Sequence, residues 1–387
     1  MNLALAHEYF SARGGAERVA EVLHAMWTHA PVYTFFHDRR AYGDLAGWDL
    51  HTSFLQQLPI GGGAHRLLLP LYPRAARALR VTPRADVLLS STSAFIKGVS
   101  LADRTVHVAY CHSPTRYLWD WSEQYLEEEV PAVLHGVVRE LLARLRKDDL
   151  AFAERVDRWI ANSRVVRERI ARYYRADSEV VNPPIEVDEF TPLSERGDFW
   201  VCMPSRLVAY KRADVAVRAF NEVGLRLIVV GDGRERAALE RIARENVTFA
   251  GRVTRATLRE LLGSARGLIF PTEDDFGMVC AEALASGTPV VALARGGAPE
   301  IVRHGVDGLL VQEPTPEAFA AAVREAERAA FDPLSLRESA RRFDRPLFEQ
   351  RIRAIVAEAN RRGRALPDRA AGPPGALAAE GSEGTGV

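Results

Sequence analysis

Short apolar runs alternate with amphipathic stretches along almost the whole chain. NLALAHEY reads as a strand, and SARGGAERVAEVLHAMW after it is a glycine turn opening an amphipathic helix. ADVLLSST, TVHVAYCH and DRWIANS are further β-rich runs, each ending in polar residues, and helical stretches such as VVRELLARLRKDDLAFAERV lie between them. The tandem Pro183–Pro184 in VVNPPIEVDEF excludes helix and fits a connection between domains. The second half then repeats one unit. FWVCMPSRL, LRLIVVGDG, VTFAGRV, RGLIFPTEDD, PVVAL and GLLV each precede a helical segment. Strands alternating with helices imply a parallel, doubly wound sheet, here twice over, with ligands bound beyond the C-terminal strand ends. The reading divides the chain into residues 1–185, residues 186–345, a last amphipathic helix at 346–363 and a Gly/Ala/Pro-rich tail at 364–387 expected to be disordered.

Composition narrows the classes. A length of 387 residues suits two cores, and 51 basic against 51 acidic residues give nothing to attract nucleic acid. Cys111, Cys202 and Cys280 are few, separated and set among apolar neighbours, which reads as reduced thiols in a cytoplasmic protein. The N-terminal apolar run is too short for a signal peptide, and no window approaches the ~18 apolar residues that span a bilayer.

The chemistry gathers at two strand ends. In PTEDDFGMVCAEALASGTPVVAL, Glu273, Asp274 and Asp275 close an apolar run and a helical stretch carries Glu282 on a face of small and apolar residues. Asp275 by itself also reads as an N-cap. A carboxylate on an apolar face needs a partner: a basic side chain, a metal or ligand hydroxyls. No histidine flanks the acids, so no metal site is expected, and the pattern suits a polyol, with the amides of Phe276, Gly277 and Met278 free to donate at the helix start. In SRLVAYKRAD, Arg206 and Lys211 follow the first strand of the second half, and a guanidinium with an ammonium matches a diphosphate without Mg²⁺. Polyol plus diphosphate describes a nucleotide sugar.

The succession S-R-L-x₃-K, VVGDG, FAGRV, D-x₇-E enclosing F-G, ASGTPVVA and GGAPEIV…GLLV resembles the retaining GT-B glycosyltransferases of family 4 across nearly the whole second half. HEYFSARGGAERV and YCHSPTRYLWD resemble a subgroup containing bacterial mannosyltransferases of polysaccharide assembly. The first acid of the family's E-x₇-E is an aspartate here, Asp274. The resemblance implies two Rossmann-like domains facing a cleft, with the C-terminal helix packing back toward the first. It implies ribose binding by Glu282, donor-sugar contacts by Asp274, His112 and the 276–278 backbone, and leaving-group stabilisation by Arg206 and Lys211. It further places Gly14 and Gly15 against phosphate or acceptor, Arg252 and Val253 at the base pocket, and Gly231 and Gly233 in the adjoining loop. It implies retention of configuration, no cofactor, and GDP-mannose as the favoured donor to a glycan or lipid-linked acceptor.

Tyr117, Trp119, Trp121 and Tyr125 are open to two readings, stacking on acceptor sugars or packing a helix. The stretch from 65 to 80 mixes Arg with Leu and Tyr and fits either a peripheral membrane contact, on the inner face of the cell membrane, or domain packing. Rival functions are a NAD-dependent oxidoreductase, a non-hydrolysing sugar-nucleotide epimerase of the same fold and an inactive binding protein. GDGRER lacks the third glycine of the dinucleotide fingerprint, and an epimerase would not call for the D-x₇-E helix.

Overall fold

The computed structural model describes residues 1–58, 64–193 and 195–365. Two parallel sheets organise it. The first holds β1 (Leu3–His7), β2 (Val32–Thr34), β3 (Leu50–Thr52), β4 (Val87–Thr92), β5 (Val106–Cys111), β6 (Arg158–Ala161) and β7 (Ser178–Val180), in the order β3-β2-β1-β4-β5-β6-β7. The second holds β8 (Phe199–Arg206), β9 (Arg226–Asp232), β10 (Val247–Gly251), β11 (Leu268–Phe270), β12 (Val290–Leu293) and β13 (Gly308–Val311), in the order β10-β9-β8-β11-β12-β13. Each order reverses once, and at such a switch point the adjoining loops part to leave a crevice at the C-terminal strand ends. The central strands β1, β4 and β12 are buried throughout, which is why they read as unbroken apolar runs.

The two chain crossings between the sheets run side by side. Ile185 donates its amide to Phe343 O at 2.8 Å, and Arg345 donates its own to Ile185 O at 3.0 Å. Beyond the second crossing, helix Arg345–Ala365 buries Phe348, Ile352, Ile355 and Val356 in the core of the first sheet, returning the C-terminal helix to the N-domain as expected. The helix runs through Ala365, and the rest of the tail lies outside the described residues. Among the described residues, no helix is long and apolar enough to cross a membrane. In the 65–80 stretch, Leu68, Leu69 and Leu71 pack against the N-domain core and Tyr72, Ala75 and Ala76 are buried in it.

Candidate functional site

The acidic loop leaves β11 and turns into helix Met278–Ala285 through Gly277, whose φ of 87° is the left-handed conformation that glycine adopts without strain. Gly277, not Asp275, is the N-cap, and no side chain caps this helix. Asp275 instead reaches across the cleft. Its Oδ1 lies 2.7 Å from Arg116 Nη2, its Oδ2 accepts from Arg116 Nε at 3.1 Å, and it also pairs with Arg169. Arg169 holds Asp120 at 2.8 Å and lies 3.9 Å from Glu273.

Asp274 is taken by Lys211, whose Nζ donates to both carboxylate oxygens at 2.5 and 2.6 Å. Thr272 Oγ1 donates to Lys211 O at 2.8 Å, so the loops after β8 and β11 are tied twice. The expected sugar-binding acid and diphosphate-binding cation therefore form one unit. Glu282 is 2% exposed, and its Oε1 lies 2.6 Å from Arg18 Nη1 on helix Gly15–Met26, with Arg255 Nη1 at 3.6 Å. The nearer of these two cations comes from the other domain.

Arg206 ends β8 and is exposed, with Nη2 donating to the Tyr210 hydroxyl at 3.1 Å. Its charge is felt by Glu17 across the cleft. Helix Gly15–Met26 begins there, with Gly14 as N-cap and the Gly14 amide donating to Glu17 Oε2 at 3.0 Å. A Cβ on Gly15 would come within 3.0 Å of Met278 Sδ, so the glycine permits the close approach of the two domains. Burial pushes the Glu17 carboxyl up to about 7. On the far side, Gly231 lies in β9 and Gly233 sits so close to β8 that a Cβ would meet Leu207 O at 2.4 Å. Arg252 is exposed just past β10, and Val253 is half-buried against the C-domain core.

His112 follows β5, and its Nε2 shares the Ser91 hydroxyl, at 2.7 Å, with His7 Nδ1 at 3.0 Å. Burial lowers both imidazoles to about 3, so each is neutral near pH 7. The segment carrying His112 and Arg116 rests on Asp149. This fully buried carboxylate accepts from Lys97 Nζ at 2.6 Å, Thr115 Oγ1 at 2.8 Å, and Trp119 Nε1 and Tyr174 OH at 2.9 Å each. Trp119 is thus a packing residue, stacked on Tyr173. Tyr117, Trp121 and Tyr125 instead line a cavity of about 260 Å³ between the domains, together with Glu8, Tyr72, Arg206 and Tyr210. Among the described residues, no three His, Cys, Asp or Glu side chains gather as a metal site.

The sequence reading did not single out Arg18, Arg116, Arg169, Glu8 or Asp149. A signal existed for the last: Asp149 stands on the stripe of Leu142, Leu145 and Phe152, an acid on an apolar helix face like Glu282.

Residues 198–328 match the family model described as Glycosyl transferases group 1, about a third of the chain. The D-inositol 3-phosphate glycosyltransferase of Mycobacteroides abscessus is 32% identical over 197 residues, covering 44% of this chain and 44% of that protein. That of Segniliparus rotundus is 32% identical over 216 residues, covering 49% and 48%. The matched part thus spans less than half the length of these curated relatives. Among solved structures, HepE of Anabaena in complex with UDP and glucose superposes with a TM-score of 0.68 at 19% identity, over 92% of this chain and 99% of that one. The sucrose-phosphate synthase of Thermosynechococcus elongatus gives 0.69 at 17% identity, over 92% and 99%. WaaG, a glycosyltransferase involved in lipopolysaccharide biosynthesis, gives 0.63 at 17% identity over the same shares. At these identities the likeness is one of fold, and the fold is GT-B.

Proposed function

We propose that the chain is a retaining glycosyltransferase that moves a hexose, best matched by mannose from GDP-mannose, to a glycan or lipid-linked acceptor. One observation carries the reading. Lys211 grips Asp274 while Arg206 faces the glycine-capped start of helix Gly15–Met26, and Glu282 lies one to two turns deeper. Two cations close to a helix N-terminus, with acids on either side, support a diphosphate there and sugar and ribose hydroxyls at its two ends. The family match over 198–328 takes in Arg206, Lys211, Asp274 and Glu282. The mannose assignment rests on the likeness of the first-half motifs to mannosyltransferases.

In this reading the ribose hydroxyls replace Arg18 as the partners of Glu282, and the sugar hydroxyls meet Asp274 and the amides of Phe276, Gly277 and Met278. Arg252 and Val253 border the base, and Gly231 and Gly233 keep the neighbouring loop close to it. The C1–O bond to the diphosphate breaks and an acceptor hydroxyl attacks from the same face, its proton passing to the departing phosphate oxygen. Arg206 and Lys211 stabilise the charge that grows there. Neutral His112 offers the sugar a hydrogen bond and not a proton.

The test is release of nucleoside diphosphate from GDP-mannose, UDP-glucose, UDP-galactose, UDP-GlcNAc and dTDP-rhamnose, with and without saccharide acceptors. GDP-mannose is expected to turn over fastest, unchanged by EDTA. A preference for a UDP-sugar removes mannose alone. Hydrolysis or transfer with none of the five removes the transferase reading.

A further inference from the structure

The cavity between the domains contains two buried polar groups that the donor reading leaves unused. Glu8, at the end of β1, is 3% exposed. Its Oε1 accepts from Thr92 Oγ1 at 3.0 Å and from the amides of Ser93, Ala94 and Ile96 at 3.1, 2.6 and 3.3 Å. Among the described residues, its Oε2 takes only a long contact from Ile96 N, at 3.3 Å. Four donors thus fix the carboxylate by one oxygen and leave the other with acceptor capacity. Tyr72, also on the cavity wall, is 4% exposed, and its hydroxyl is buried without a hydrogen-bond partner. An orphaned buried hydroxyl is costly, so its presence on a cavity wall calls for a ligand. Both groups line the same cavity.

We infer that Glu8 and Tyr72 form the floor of the acceptor subsite and that the group they hold is a neutral hexopyranose. This rests on the transferase reading above. Adjacent ring hydroxyls need one partner that accepts and one that also donates, which a carboxylate oxygen and a phenol supply. Tyr117, Trp121 and Tyr125 give the aromatic faces on which a pyranose ring packs. The volume, about 260 Å³, lies just below the range of pockets that take drug-sized ligands and suits a sugar ring. A phosphate fits the floor poorly, because the Glu8 carboxylate only accepts; the guanidinium groups of Arg116, Arg206 and Arg234 line the same cavity, so a phosphorylated acceptor belongs among the test ligands.

The experiment is a titration of the full chain with methyl α-D-mannopyranoside, methyl β-D-glucopyranoside, methyl β-D-galactopyranoside and D-myo-inositol 3-phosphate, followed by saturation-transfer NMR in the presence of GDP or UDP. At least one neutral glycoside is expected to bind the wild type. Tyr72→Phe and Glu8→Gln should each weaken it about tenfold, the second because an amide NH₂ replaces the accepting oxygen. Tyr72→Phe should also melt at or above the wild-type temperature, since it removes an unsatisfied hydroxyl. A structural role would lower the midpoint and leave glycoside affinity alone. Three results overturn the proposal: no glycoside binding by a wild type that binds nucleotide, equal binding by wild type and both variants, or preference for inositol 3-phosphate over every glycoside. Absence of GDP and UDP binding in the wild type counts against the transferase reading separately.

Discussion

At the residue scale, most charges of the site are neutralised from within. Lys211 and Asp274 cancel each other, Arg18 cancels Glu282, and Arg206 is exposed, hydrogen-bonded to the Tyr210 hydroxyl with Glu17 across the cleft. Arg206→Ala and Lys211→Ala should therefore differ in stability while agreeing in activity. Each removes a charge-assisted contact to the leaving group, about 2.7–4 kcal/mol of barrier, or roughly 10²–10³ in turnover. Arg206→Ala should leave the thermal midpoint alone. Lys211→Ala should lower it, because Asp274 keeps a half-buried charge without its partner. Wild-type turnover in either variant would remove the clamp. Glu17 adds a pH dependence. Burial raises its carboxyl from 4.5 to about 7, so between those values the folded chain holds a proton that the unfolded chain has released. Its contribution to stability is full below pH 4.5 and is lost as pH rises through 7. The ionised form, bonded to the Gly14 amide, also sets a negative charge beside the place proposed for the diphosphate. Nucleoside diphosphate affinity should rise as pH falls from 8 to 6, more steeply than in Glu17→Gln, where the group cannot ionise. Parallel calorimetric pH profiles for the two proteins would show that Glu17 plays no part.

At the element scale, the acidic loop is held by its backbone as well as by its side chains. Gly297 donates its amide to Asp274 O at 2.8 Å, and a Cβ there would lie 2.4 Å from Phe276 Cα. Gly297→Ala touches no proposed ligand contact, yet it must push the 274–276 backbone away. The expected result is at least a tenfold rise in the donor KM with the diphosphate cations intact, since a shift of about 1 Å is enough to cost 10²-fold. A donor KM equal to that of the wild type would show that the loop yields without moving its carboxylates. The same scale explains what the sequence revealed. All six strands of the second sheet were legible because each is an apolar run followed by an amphipathic helix. β2, β3 and β7 were not, since three residues show no period and β3 and β7 are half-exposed edge strands. Lys211 and Asp274 were legible as parts of one site because both follow neighbouring strands of one sheet, but as contacts to diphosphate and sugar and not to each other. Arg18 and Arg116 sat in quoted motifs, GGAERV and SPTRYLWD, but their partners belong to the other sheet, and no local pattern carries the placement of one domain on another.

At the scale of the whole molecule, the domains meet largely through charge. Arg18 reaches Glu282, Arg116 and Arg169 reach Asp275, and the Arg164 amide donates to Glu300 at 2.6 Å, while the backbone crosses only at the paired strands around Ile185 and Asp344. A polar interface of this kind permits domain motion, and partly exposed ion pairs weaken with salt. Asp275 is the strongest single tie, since one carboxylate holds two guanidinium groups that repel each other when it is gone. Asp275→Ala should open the cleft. The wild type is expected to scatter with a radius of gyration of about 21 Å, that of a compact chain of this length. The variant should scatter with a larger radius at low salt, a state that the wild type approaches only near 1 M salt. Its donor KM should rise although no donor contact has been removed, because Arg18, Gly14 and Gly15 would stand farther from the C-domain. Unfolding should cost only a few kcal/mol less, since Arg169 keeps Asp120 and each sheet keeps its own core. Identical scattering curves for wild type and variant at both salt concentrations would mean that the apolar and backbone contacts alone hold the domains together.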